Sequence, residues 1–136
     1  MNRKLTEVAF AISMFICLIS CNHGTEVAFY VTNNSEHTKD NTIQVYINDS
    51  LLISKNFRYS NVVPNDEIFK FRLKNSVGKL KVVELTYGME TIDSIDIDKE
   101  KYIFIGFDEF KKNLPGGDTV KRIISILKRK EFTKLY

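Results

Sequence analysis

From Val27 onward apolar side chains fall at every second residue, the period of a half-buried strand rather than of a helix. Val27, Phe29 and Val31 alternate with Ala28, Tyr30 and Thr32, and Ile43, Val45 and Ile47 alternate with Gln44, Tyr46 and Asn48. The cluster Asn48, Asp49 and Ser50 then reads as a tight turn into Leu51, Leu52 and Ile53, which makes a hairpin. The stretch from Asn33 to Asn41 carries no apolar residue and reads as a loop. After a turn at Asn61 to Asn65, Phe69, Phe71 and Leu73 share one face opposite Ile68, Lys70 and Arg72. Leu80 to Tyr87 and Thr91 to Ile97 follow as strands, separated from their neighbours by turns around Gly78 and Gly88. Tyr102 to Phe107 is apolar on both faces, as a central strand is. In the last stretch Val120, Ile123, Ile124 and Leu127 fit a helical stripe with Asp118 as N-cap, but Ile124 and Ile126 also fit a strand. The β-branched cluster and the preceding Gly116 and Gly117 turn favour a strand there. The expected fold is all-β: an antiparallel β-sandwich of seven or eight strands.

A chain that folds this way has to find its core without covalent staples. The only cysteines are Cys17 and Cys21. Charge is uneven: residues 21 to 110 hold 10 Lys or Arg against 14 Asp or Glu, whereas residues 111 to 136 hold 8 against 2. The densest basic cluster is Lys128, Arg129, Lys130 and Lys134. It suits contact with an anionic surface or polymer, or simply a solvated polar end.

The first twenty residues follow another pattern. Arg3 and Lys4 precede an apolar run from Val8 to Ile19, closed by the small Ser20 and by Cys21. That is the layout of a secretory signal, and the 12-residue run is far short of the roughly 20 that span a bilayer core as a helix. Leu18, Ile19, Ser20 and Cys21 resemble the lipobox of bacterial lipoproteins. The resemblance implies signal peptidase II cleavage between Ser20 and Cys21, a diacylglycerol thioether on Cys21 and acylation of the new terminus. Two or more chains hold a protein on its membrane for practical purposes, at about 0.8 kcal/mol per buried methylene. The expected organisation is therefore a helical signal peptide over 1–20, a lipidated cysteine and tether over 21–25, and one β-sandwich domain over 26–136. Asn22, His23, Gly24 and Thr25 extend to roughly 14 Å, so the domain is expected close to the bilayer. Asn22 stands where some Gram-negative bacteria read an inner-membrane retention aspartate, which favours the outer membrane of the cell envelope.

The segment from Lys70 to Asp108, with its Gly78 turn and its strands at Leu80 to Tyr87 and Tyr102 to Phe107, loosely resembles the Ig-like and transthyretin-like (prealbumin) modules of surface lipoproteins. Such a likeness implies a fold and carries no function.

Chemistry-bearing constellations are sparse. His23 lies in the tether and His37 in the polar loop, and no nucleophile elbow, dinucleotide fingerprint, P-loop or zincin helix is present. No catalytic set, metal site or cofactor is expected, and export argues against a nucleic-acid partner. Asp93, Asp96, Asp98 and Glu100 offer oxygens to a hard cation but lack EF-hand spacing, and fit a charged strand edge better. Tyr30 and Tyr46 each lie opposite the inward set of their strand. Were those strands to pair, the rings would stand together as an outer platform for sugar or peptide, or as a cross-strand pair that merely stabilises the sheet. The leading expectation is a non-enzymatic, envelope-tethered interaction module with a protein partner. The alternatives are a ligand-binding accessory lipoprotein for a glycan or anionic polymer, and a small enzyme or enzyme inhibitor.

Overall fold

A computed structural model describes residues 24–61 and 66–131. The leader with Ser20 and Cys21, and the C-terminal Lys134, lie outside the described residues. Eight strands form two four-stranded sheets: β1 (Thr25–Asn33), β2 (Asp40–Ile47), β3 (Ser50–Arg58), β4 (Glu67–Leu73), β5 (Val77–Glu84), β6 (Met89–Asp96), β7 (Tyr102–Leu114) and β8 (Gly117–Arg129). One sheet has the order β4-β1-β7-β8 and the other β3-β2-β5-β6. The all-β sandwich read from the alternation is therefore the fold observed, and the final stretch is strand β8.

The strand order separates the two sandwich types. An immunoglobulin domain pairs its first two strands within one sheet. Here β1 and β2 lie in opposite sheets, so the strand order is not that of an immunoglobulin domain. Five of the six strand pairs are antiparallel, but β1 and β7 run parallel from Ala28↔Tyr102 to Asn33↔Phe107. Strand bounds also move. β1 starts at Thr25, one residue earlier than the alternation alone marks, and Val77 and Gly78 begin β5 rather than ending a turn. Asp98 falls in the turn after β6, so it does not share a strand face with Asp96.

Local chemistry explains the connections. Asn48 and Asp49 have φ of 49° and 65°, the left-handed pair of a type I′ hairpin, which Asn and Asp tolerate better than most residues. The Asn48 side chain accepts from the Lys79 backbone N–H at 2.8 Å, and a Cβ on Gly78 would sit 2.9 Å from its Oδ1, so a side chain there would have to displace this amide. A two-residue link, Pro115 and Gly116, joins β7 to β8.

The inward residues of both sheets meet in one core. Val27, Phe29, Val31, Ile103, Ile105 and Phe107 come from the first sheet, and Ile43, Val45, Phe57, Leu80 and Val82 from the second. Edge-on aromatic pairs, Phe29 with Phe71 at 5.9 Å and Phe57 with Phe69 at 6.1 Å, seat the predicted inner face of β4. Among the described residues, the eight strands form two sheets around one shared core.

Candidate interaction surfaces

Because β7 runs parallel to β1, the molecule has one end where β1 begins at Thr25 and an opposite, far end where β7 and β8 project. β1 stops pairing with β7 at Phe107, while β7 and β8 stay paired to Leu114↔Gly117. The extra residues form a two-stranded ribbon.

A polar lock closes the base of that ribbon. The Glu109 side chain is fully buried and accepts from Arg122 Nε at 2.7 Å and from the Ser35 hydroxyl. Thr38 shares a 2.8 Å hydrogen bond with the Tyr87 hydroxyl, and its backbone N–H donates to Ser35 Oγ at 2.8 Å. The Arg122 guanidinium lies 3.8 Å over the Tyr87 ring, whose other partner is Phe107, stacked at 6.2 Å. Asn33 ties the loop down, donating to the carbonyls of Thr38 and Phe57 at 2.7 and 3.2 Å. Buried Glu84 accepts from the backbone N–H groups of Thr86 and Tyr87. Burial pushes the Glu109 carboxyl up, but hydrogen bonds from Ser35, Arg122 and Thr38 outweigh it and hold the group below the usual glutamate range. A carboxylate so held is a weak base. His37 lines a groove of about 520 Å³ with Glu109 and Phe110.

Sequence reasoning missed this lock, because Ser35 and Thr38 stand in a stretch whose composition reads as solvated loop. Both are buried, Ser35 completely. A signal was present in the spacing: Asn33, Ser35 and Thr38 satisfy one another through local side-chain to backbone bonds, the habit of these residue types.

No family model, no curated protein and no solved structure matches this chain. Function therefore has to be read from these surfaces themselves.

The expected tyrosine pair does not form. β1 and β2 belong to different sheets, so Tyr30 and Tyr46 stand on opposite outer faces. Tyr30 stacks on Phe104 at 4.7 Å with an interplanar angle of 20°, which covers a face of each ring. Tyr46 carries Lys81 Nζ 4.4 Å over its ring and donates its hydroxyl to Gln44 at 2.8 Å. Neither matches an open sugar-stacking platform.

The basic cluster also divides. Lys128 faces inward and spans the two sheets, with Nζ 3.0 Å from Asp93, 3.6 Å from Glu100 and 2.7 Å from the Ser94 carbonyl. Arg129 faces outward, 5.9 Å over Phe104, and Lys130 is exposed. Asp93 is thus a clamp partner rather than a free edge carboxylate. The hydrogen bond from Lys128 comes first among the influences that hold Asp93 below the ordinary aspartate range. Asp96 pairs with Lys99 at 2.9 Å, and Glu100 accepts from the Asp96 backbone N–H at 2.9 Å. Among the described residues no group of three or more His, Cys, Asp or Glu is placed to hold a metal ion.

What remains is the outer face of the first sheet. Register aligns Ile68, Tyr30, Phe104 and Leu127 in one apolar row across all four strands, with Ile68 and Leu127 exposed at its ends. The next row toward Thr25 is Lys70, Ala28, Tyr102 and Arg129, and Glu26 opposite Arg72 follows. Gly24 passes beneath Arg72, where an added Cβ would lie 2.5 Å from Arg72 Cγ and 3.0 Å from the Leu73 carbonyl oxygen.

Proposed function

We propose that this protein is a lipid-anchored, non-enzymatic interaction module of the bacterial cell envelope, held through Cys21 after cleavage behind Ser20. The observation that carries the reading is the place of the first strand. β1 begins at Thr25, the fourth residue after the lipobox cysteine, so almost no free chain separates the two. A chain that short reaches about 14 Å when extended, which suits a domain carried on the bilayer surface better than one swinging on a long stalk.

The far end supplies the contact surface. The exposed ribbon residues 110–112 and 115–121 lie at the opposite end of the sheet from the anchor, and Phe110 and Val120 add apolar area among Lys111, Lys112 and Lys121. The lock beneath keeps the ribbon base rigid, and a rigid element costs little entropy when it binds. We assign the contact of an envelope protein partner to this ribbon. The buried polar groups at its base spend their hydrogen-bonding capacity on one another, which favours a structural role for them over a reactive one.

Intact-mass spectrometry of the membrane fraction tests the anchor. Wild type is expected to lack residues 1–20 and to carry acyl mass, and Cys21→Ala to lack that mass. A wild type that keeps its first twenty residues unacylated removes the anchor from the proposal. Reproducible hydrolysis of a substrate panel by the pure domain removes the non-enzymatic part.

A further inference from the structure

The two outer faces of the sandwich differ in charge, and the difference lies beside the tether. At the Thr25 end of the first sheet Lys70, Arg72, Lys101 and Arg129 gather around Glu26, which lies 3.7 Å from Lys70, while Asp66 and Asp108 lie beyond the apolar row at the other end. On the second sheet the cations are met one for one: Arg58 pairs with Asp40, Lys79 with Asp49 and Lys99 with Asp96, and Glu90 shares the outer face with Lys81. The cations of the first face border a groove of about 500 Å³ between Glu26, Tyr30, Lys70, Lys101 and Tyr102. On its far side lies the apolar row from Ile68 to Leu127. Cations beside amphipathic aromatic rings form the surface that meets a headgroup layer, with charge toward phosphate and rings at the boundary.

We propose that the outer face of the β4-β1-β7-β8 sheet docks on the anionic bilayer surface that carries the anchor. Lys70, Arg72, Lys101 and Arg129 meet lipid phosphates there, and the Tyr30 and Tyr102 region faces the headgroup boundary. Geometry favours lipid over an acidic protein as the occupant. The Lys70 row lies three residues into β1 and the Ile68 row five, about 10 and 17 Å from Thr25, so a tether of about 14 Å brings the same face onto the bilayer. Charge complementarity adds about a fivefold gain in partition for each cation near an anionic surface. The inference rests on the anchor reading for its geometry, but its test uses no lipidated chain, so either can fail without the other. The ribbon, which continues β7 and β8 in the plane of this sheet, then runs along the bilayer away from the anchor, so the protein meets lipid with one face and its partner with one end.

The test is sedimentation of the full chain carrying Cys21→Ala, which cannot be lipidated, with vesicles of phosphatidylcholine alone or with about a third phosphatidylglycerol. Binding is expected on the anionic vesicles only, and release at about 1 M salt, where the Debye length falls to about 3 Å. Lys70→Glu with Arg129→Glu should lower partition by at least about tenfold. Lys79→Glu with Lys81→Glu makes the same charge change on the other face and should lower it much less. Equal losses from the two pairs, equal binding to neutral vesicles, or no partition at all overturns the proposal. The last result is what an acidic protein as the true occupant would give. Thermal melting checks that each variant is folded, and Lys70→Gln with Lys101→Gln serves in place of the charge reversal if that pair unfolds.

Discussion

Arg122 and Lys128 occupy the same inward-facing side of β8, with Ile124 and Ile126 between them, yet they do different work. Arg122 meets a fully buried carboxylate that also binds Ser35, and it covers the ring of Tyr87. Lys128 meets Asp93 and Glu100, whose side chains keep 39% and 25% of their exposure, and it bridges the two sheets rather than two paired strands. The contrast teaches that the carboxylate's surroundings, not the cation, decide what an ion pair is worth. A buried carboxylate must be satisfied from every side, whereas a wet one loses little when its partner leaves.

Removing the buried carboxylate should break the comparison most. Glu109→Ala leaves Ser35, Thr38 and Arg122 without their acceptor, and is expected to cost about 3 kcal/mol of unfolding free energy in urea titration. A loss below that of Lys128→Ala would show that the lock is not the stronger of the two. Lys128→Ala, which unhooks the sheets at a half-wet site, is expected to cost about 1–2 kcal/mol by the same titration. Tyr87→Phe deletes the hydroxyl's bonds to Thr38 and Arg122 but keeps the ring under the guanidinium, so about 1 kcal/mol is expected, read as a lower urea midpoint at unchanged slope.

The smallest effect is on pH dependence, and its sign follows from the direction in which each carboxylate is held. Glu109 titrates below an unfolded value of about 4.3, so its contribution is complete above that pH and disappears as pH falls through the folded value. Asp93 behaves likewise below about 3.9. Melting curves between neutral pH and pH 3 should therefore flatten more in Glu109→Gln than in Asp93→Asn. Equal flattening would erase the distinction between buried and wet pair.

How much of this was legible beforehand depends on the range of the interaction. The alternation at Val27, Phe29 and Val31, the Asn48 and Asp49 turn, the inner face of β4 and the two-sided apolar character of Tyr102 to Phe107 are local, and each reads directly into the fold. Partner choice is not local. Tyr30 and Tyr46 look like neighbours because successive strands often pair, and nothing in the residues 34–39 announces that the chain crosses to the other sheet there. Lys128 reads as one of four surface cations, because its inward phase shows only once β8 is registered against β7 through Ile103↔Lys128. The basic rim of the first sheet was invisible for the same reason, since Lys70, Lys101 and Arg129 come from three separate stretches of chain.

The parallel pairing of β1 with β7 has a consequence in time. A chain emerging from its N-terminus presents β1 first, but the two neighbours that make it a central strand are β4 and β7, and residues 102–107 arrive some seventy positions later. Until then Val27, Phe29 and Val31 have at most one flank covered, and β1 is an open edge able to recruit another chain. Contacts of such sequence separation make folding slow and all-or-none. The interval before β7 arrives is therefore when pairing with a neighbouring copy competes most with closure of the chain's own sheet.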